Sequence, residues 1–370
     1  MRQTWALLID AYRDLNARKM FWIVLIISGL VAISMAMVGL TMRGFTVFGY
    51  EIKSPFLNAR EMTPAEFYKL MFLTLGIQWW LTQFATALAL ISTASIFPDF
   101  LMGGSVDLYL SKPIGRWRLF WTKYACGLLF VTLQIACFSL ASFLVIGLRG
   151  GAWEPALFLA VPIVVLFYSY LYCVCVLIGV VTRSTVAAVL LTLLFWLCVF
   201  SVHTTEVTLL LFKIHGERAH KNVIEQIDRD RTALAEIPAA TTPSYRQVLL
   251  ENQLKRDIKE RDDYYPEFDR PHEWFYAMKI FLPKTSETVY LLQRELVSRA
   301  SLSRDRRTAE EENDSEQATA QSGGEVSRGD VGELQKQLGH RSWVWITGTS
   351  LGFEAAVLLL AGWIFCRRDY

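Results

Sequence analysis

Charge is scarce in this sequence: of 370 residues only 19% are Asp, Glu, Lys or Arg, against 53% hydrophobic. That balance excludes an ordinary soluble domain, because so much apolar surface needs a solvent other than water. Histidine is scarcer still, at five residues in no ligand-like spacing, which argues against a histidine metal centre. His272-Glu273 lacks the second histidine of a zincin motif, and Gly104-Ser105 has no strand-turn-helix context, so intramembrane proteolysis is disfavoured. A Gly-x-x-x-x-Gly-Lys-Ser/Thr phosphate loop is missing, so the chain does not cradle nucleotide by that route. The long polar stretch after Phe212 holds no cysteine, and all six cysteines (Cys126, Cys137, Cys173, Cys175, Cys198, Cys366) lie in apolar blocks or at their edges. Neither a disulfide framework nor a zinc site is implied, and Cys173 and Cys175, two apart, read as packing residues on different helix faces. A net charge of +2 without an aromatic-interleaved basic patch points away from nucleic acid.

What the sequence has in quantity is apolar blocks long enough to cross a bilayer, which takes roughly 20 helical residues. They run over Met20–Met42, Leu70–Phe97, Tyr124–Leu148, Ala156–Val181, Ser184–Thr205 and Ser342–Cys366. The fold class expected is therefore an all-α polytopic membrane protein with six transmembrane helices. The first block is longer than a signal-peptide core and no small-x-small site follows it, so it counts as a span. Residues 1–19 carry Trp5, Leu8, Tyr12 and Leu15 at spacings of three and four, with charges elsewhere on the wheel, as in an amphipathic helix on the membrane surface.

Orientation follows from Lys and Arg in the short connections. With the N-terminus inside, Arg2, Arg13, Arg18, Lys19, Lys112, Arg116, Arg118, Lys123, Arg183, Arg367 and Arg368 face the cytoplasm, against Arg43, Lys53, Arg60, Lys69 and Arg149 outside. Both termini are then cytoplasmic in an inner membrane, and residues 20–211 hold the first five spans. The weakest boundary is the end of span five, where His203 and Glu206 interrupt the pattern. By parity, residues 212–300 form an extracytoplasmic helical cap, opened in part by Thr242-Pro243 before a helix over 245–261. Aromatic residues from Tyr264 to Phe281 form either an interface-seeking layer or the core of a folded cap. Residues 301–341, rich in Arg, Glu, Ser, Gln and Gly, cannot bury enough to fold and read as a disordered linker. Residues 342–370 complete the chain with span six and a cytoplasmic tail.

The connection over 97–120 is the most informative segment. It runs Phe97-Pro98-Asp99-Phe100-Leu101, then Val106-Asp107-Leu108-Tyr109-Leu110-Ser111-Lys112-Pro113, then Arg116-Trp117-Arg118, with Lys123-Tyr124 opening the next span. These residues resemble the second cytoplasmic connection of ATP-binding-cassette permeases of the type 2 exporter family, which ends in Leu-Ser-Lys/Arg-Pro followed by a small residue, Arg and an aromatic. Pro98-Asp99 stands where many relatives carry Glu-Arg. The resemblance extends to the surface helix, the six spans and the basic C-terminal ending, and covers little of 212–341. It implies a coupling helix seated in a cleft of a separate ATPase subunit, which binds ATP and Mg, while this chain is not an enzyme and holds no cofactor. It also implies a pair of permeases, a second copy or a homologue, because one copy supplies half of a two-fold pathway.

The residues themselves support the same role. Phe100, Leu101, Leu108 and Leu110 beside Asp99 and Asp107 offer a partner apolar anchors and charges, Pro113 stops the helix, and Lys112 and Arg116 belong to the same motif. Basic residues after Pro113 hold span three at anionic headgroups. Glu354, at the middle of span six, faces a partner or water, since a charge there costs about 2.5–3.5 kcal/mol on insertion scales. It lines a translocation path, binds a cationic group, sits protonated beside a polar residue such as Gln78, Gln83, Gln134 or His203, or is simply a hydrogen-bonded packing carboxyl. Gly348, Gly352 and Ala356 form a small-residue face expected to meet span five or a second copy. Two rivals to export stand beside it: a mechanical or scaffold subunit whose 212–341 loop acts on a periplasmic partner, and an ion-coupled carrier needing no ATPase.

Overall fold

The first helix follows directly from its sequence: Phe21, Val24, Ser28, Ala32 and Met35, at steps of three and four, are buried, while Trp22, Ile26, Leu30 and Ile33 on the other side stay exposed. The computed structural model describes residues 19–47, 49–53, 63–101, 115–235, 245–262, 269–301, 332–334, 337–338 and 342–367. Its helices are α1 Lys19–Met37, α2 Pro64–Met71, α3 Thr86–Thr93, α4 Ile96–Leu101, α5 Arg116–Gly150, α6 Ala160–Thr182, α7 Thr185–Ala235, α8 Tyr245–Asp262, α9 Asp269–Phe281, α10 Thr285–Ser301 and α11 Trp343–Arg367. A π-helical segment, Phe72–Ala85, joins α2 to α3, and a 3-10 turn, Pro155–Leu159, leads into α6.

Six of these stretches are long and apolar enough to cross a bilayer: Met20–Met37, Pro64–Leu101, Arg116–Gly150, Pro155–Thr182, Thr185–Ala235 and Trp343–Arg367. The helical, membrane-embedded class expected from the sequence is thus met. One departure from all-α is a small antiparallel sheet, β1 Val38–Thr41, β2 Gly44–Val47 and β3 Tyr50–Lys53, in the order β1-β2-β3. Its register pairs Leu40 with Phe45 and Phe45 with Ile52. The alternation is only four residues deep per strand, too short to stand out beside the apolar runs. Tyr68 anchors the sheet by donating its hydroxyl to the Val38 carbonyl at 2.6 Å.

Helix ends carry local signals. Thr63 and Glu66 make a reciprocal capping box with Pro64 at the first helical position. Between the fourth and fifth spans, Arg183 takes a left-handed φ of 53° and stops α6, and the Ser184 side chain then accepts the Ala187 amide to start α7.

The described residues fall into two compact units, divided after Phe200, between Phe281 and Leu282, and between Ser342 and Trp343. In the first unit α6 is the hub. It packs against α5, α10, α11 and the π-helical segment, and its Phe167, Tyr168, Tyr170, Leu171, Tyr172 and Cys173 are all buried. Gly127 lets α5 approach it, because a Cβ there would collide with the Tyr172 phenol. Helix α10 belongs to this unit and lies against α6 and α11, so the expected cap over 212–300 divides differently: its last part is packed in the bundle. The second unit takes α7 from Ser201 onwards with α8 and α9. There α7 continues past residue 211 to Ala235 without a break at His203 or Glu206, and Leu210, Ile214 and Leu334 form a small apolar core. Trp274, one of the aromatic residues read as interfacial or buried, is 76% exposed. Residues 1–18 of the surface helix expected over 1–19, and nearly all of the segment read as a linker, lie outside the described residues.

Candidate functional site

Two places in the first unit carry the residues singled out from sequence. The connection between the second and third spans is described at its two ends, while Asp107, Leu108, Leu110, Lys112 and Pro113 lie outside the described residues. At its start, Asp99 is exposed, but Phe100 and Leu101 are only 5% and 8% exposed. That corrects the expectation that they present anchors to a partner. Phe100 stacks on Phe365 of α11 with ring centroids 6.2 Å apart, the Lys123 ammonium sits 5.4 Å above its ring, and neighbouring Phe97 packs on Phe120. The physical reason is local: α4 is short, and its apolar residues find a greasy cleft in their own chain before any partner.

At its far end, Arg116 is likewise turned inward. Its guanidinium donates to the Cys366 carbonyl at 3.0 Å, satisfying one of the open carbonyls at the end of α11. Trp117 lies against Gly362, where a Cβ would clash with the indole. Both ends of the connection are therefore fastened to the C-terminal end of span six. Arg367 stacks on Trp363 at 4.4 Å in the same region.

The second place surrounds Glu354, which is 8% exposed. The phenol of Tyr124, from α5, donates to Oε1 at 2.7 Å, and Ser169 Oγ, from α6, lies 2.9 Å from Oε2. These two replace the partners Gln78, Gln83, Gln134 and His203 expected from sequence. Gln134 instead lines a small cavity with Ser28 and Thr86 between the first three spans. From Tyr124 the polar path continues as a stack of rings. Tyr124 lies on Tyr172 with centroids 5.2 Å apart, Tyr172 on Tyr168 at 5.5 Å, and the Tyr168 hydroxyl meets Thr93 Oγ1 at 2.5 Å. Thr93 already donates to the Ala89 carbonyl, so Tyr168 is the donor in that contact. A column of hydroxyls and rings thus joins span six to span two through spans three and four.

Sequence reasoning missed Tyr124, Ser169, Tyr168 and Tyr172. A signal was present, since Tyr168-Ser169-Tyr170-Leu171-Tyr172 places four hydroxyls inside a strongly hydrophobic span, where each needs a partner. It also missed Lys284, which is 2% exposed: its amide donates to Ser350 Oγ at 3.0 Å, its ammonium to Thr349 Oγ1 at 2.6 Å, and the ammonium lies 4.1 Å from the Trp345 ring centroid.

The small-residue face of α11 is open. Gly348, Gly352 and Ala356 are exposed, and a Cβ at either glycine meets nothing within 4 Å. Span five instead touches α11 through Phe195, stacked on Phe353 at 6.0 Å.

No protein-family model, curated protein or solved structure matches this chain. Among the described residues there is no cluster of three or more His, Cys, Asp or Glu suited to a metal ion.

Proposed function

We propose that this chain is the membrane subunit of an ATP-binding-cassette exporter of type 2, moved by a separate ATPase that supplies ATP and Mg chemistry. The observation that carries the reading is the Leu110-Ser111-Lys112-Pro113, Arg116-Trp117, Lys123-Tyr124 series between two of six apolar helices. The fastening of that connection supports it. A push delivered to residues 102–114 passes through Phe100 to Phe365, and through Arg116 to the Cys366 carbonyl, so one contact acts on the second, third and sixth spans together. With Phe100, Leu101 and Arg116 engaged inside the chain, the residues left for the ATPase in this reading are the exposed Asp99 and, from the sequence motif, Asp107, Leu108, Leu110, Lys112 and Pro113. The open Gly348, Gly352 and Ala356 face suits close approach by a second permease. In this reading the protein lies in the inner membrane with both termini cytoplasmic, and the exported substrate is set by the pair.

The test is recruitment of the ATPase by the full chain in membranes. Replacing Leu108 and Leu110 by Glu is expected to abolish co-purification while the monodisperse chain is still recovered in detergent. Undiminished co-purification overturns the proposal.

A second reading, ATP-driven mechanical action on a periplasmic partner without transport, is favoured by the anchoring of Lys284 at Thr349, Ser350 and Trp345. The chain leaving α9 is thereby tied to span six, which gives that span a handle on the loop. ATP turnover stimulated by a candidate substrate in sealed vesicles, with uptake of that substrate, decides for export; turnover stimulated only by a soluble periplasmic protein decides for mechanical action.

A further inference from the structure

We propose that strand β3 is a pairing edge for a second copy of this chain, the two β3 strands running antiparallel about a two-fold axis at Ile52 and joining the three strands of each copy into one sheet. The argument rests on the strand and its neighbours and stands without the ATPase reading. In the order β1-β2-β3, the outer edge of β3 has no further strand beside it among the described residues, and Tyr50, Glu51, Ile52 and Lys53 are all exposed. Along such an edge, alternate backbone N–H and C=O groups point outward without a ladder partner, which is the template onto which another strand adds.

The sheet has two unlike faces. Residues opposite each other share a face, so the register puts Val38, Leu40, Phe45, Val47, Tyr50 and Ile52 on one side and Gly39, Thr41, Gly44, Thr46, Glu51 and Lys53 on the other. On the apolar side Val38, Leu40 and Phe45 pack against the helical core, whereas Tyr50 is 80% and Ile52 46% exposed. The apolar face thus runs out beyond the bundle at β3. On the polar side Glu51 and Lys53 form no ion pair among the described residues.

The spacing of those two charges decides the occupant. A lysine on an edge strand ordinarily keeps like strands apart. In an antiparallel pair centred on Ile52, however, position 51 of one copy faces position 53 of the other. Glu51 then meets the partner's Lys53, and Lys53 meets the partner's Glu51, so the strand's own sequence answers both charges. Ile52 meets its own counterpart across the axis and joins the two exposed apolar faces. Four residues bury too little to hold two soluble proteins together. Here the bilayer confines both copies to one plane, and the edge sets their register.

Disulfide trapping of the full chain in native membranes tests this. Facing residues of an antiparallel pair have Cα atoms about 4.5–5.5 Å apart, within the range a disulfide bridges. Under mild oxidation Ile52→Cys is expected to give a covalent dimer above the level that the six native cysteines give in wild type, and Tyr50→Cys several-fold less than Ile52→Cys. Co-expressed Glu51→Cys and Lys53→Cys chains should cross-link to each other more than either does to itself. In the Ile52→Cys background, Lys53→Glu should lower the dimer several-fold by setting like charges opposite, and adding Glu51→Lys should restore it. An Ile52→Cys chain that stays monomeric while reacting with a water-soluble maleimide overturns the proposal. So does one labelled only by a membrane-dissolved maleimide, which would place the strand on lipid. Equal cross-linking at positions 50 and 52 would mean collision without register and would equally sink the idea.

Discussion

Among the described residues, Glu206 and Glu354 are both buried, and they are accommodated by opposite means. Glu206, on α7 in the second unit, is 0% exposed and receives the Lys279 ammonium of α9 at 2.7 Å. Glu354, on α11 in the first unit, pairs with no Lys, Arg or His among the described residues and is met by the hydroxyls of Tyr124 and Ser169. The contrast teaches where each kind of solution is available. Ion pairing needs a lysine long enough to reach and helices whose remaining surface tolerates charge. Helix α9, with a mixed sequence of Asp, Arg, His, Glu and Lys among its aromatics, provides that. In span three Lys123, next to Tyr124, has its ammonium over the Phe100 ring, and hydroxyl groups bind the Glu354 carboxyl instead.

The difference predicts unequal responses to losing a partner. Lys279→Ala leaves Glu206 buried without its ammonium and is expected to destabilise the fold by about 3–5 kcal/mol. Denaturant unfolding of the purified chain, followed by tryptophan fluorescence, measures it. The double change Glu206→Leu with Lys279→Leu should recover most of that loss, because two apolar side chains remove both charges together. A double change as damaging as Lys279→Ala alone would mean that the pair does more than neutralise itself.

At the other glutamate the losses should be smaller. Glu354→Leu leaves the Tyr124 phenol without its acceptor, an expected cost of about 1–3 kcal/mol, while Ser169 keeps the Leu166 carbonyl. Tyr124→Phe removes one donor and should cost about 1 kcal/mol, the range found for hydrogen bonds between membrane helices. The same unfolding assay ranks the series, and Tyr124→Phe more harmful than Lys279→Ala would reverse the comparison.

Much of the architecture could be read from composition and runs: each apolar block found along the sequence overlaps one of the six helices long enough to span a bilayer, although the first helix ends at Met37, before the expected Met42, and the fifth runs on to Ala235. Glu354 was also legible, since a charge amid an apolar run stands out. Its partners were not. Tyr124 lies 230 residues away from it and Ser169 lies 185, and no periodicity in either helix says which third helix will bring its carboxyl alongside. The connection over 97–120 shows the same limit from the other direction. Phe100, Leu101 and Arg116 have the right chemistry for a partner surface, but apolar and basic side chains serve equally well inside the chain, where Phe365 and the Cys366 carbonyl claim them.

By itself, then, the sequence determined that the chain must live in a membrane as helices, because local runs of apolar residues decide the solvent of each segment without help from distant ones. Only the tertiary structure decided which polar groups inside that membrane meet, since a buried hydroxyl or carboxyl must bind to whatever packing brings within about 3 Å. It also separated helix faces that are claimed, such as the Phe100 side of α4, from those left open, such as Gly348 and Gly352 on α11.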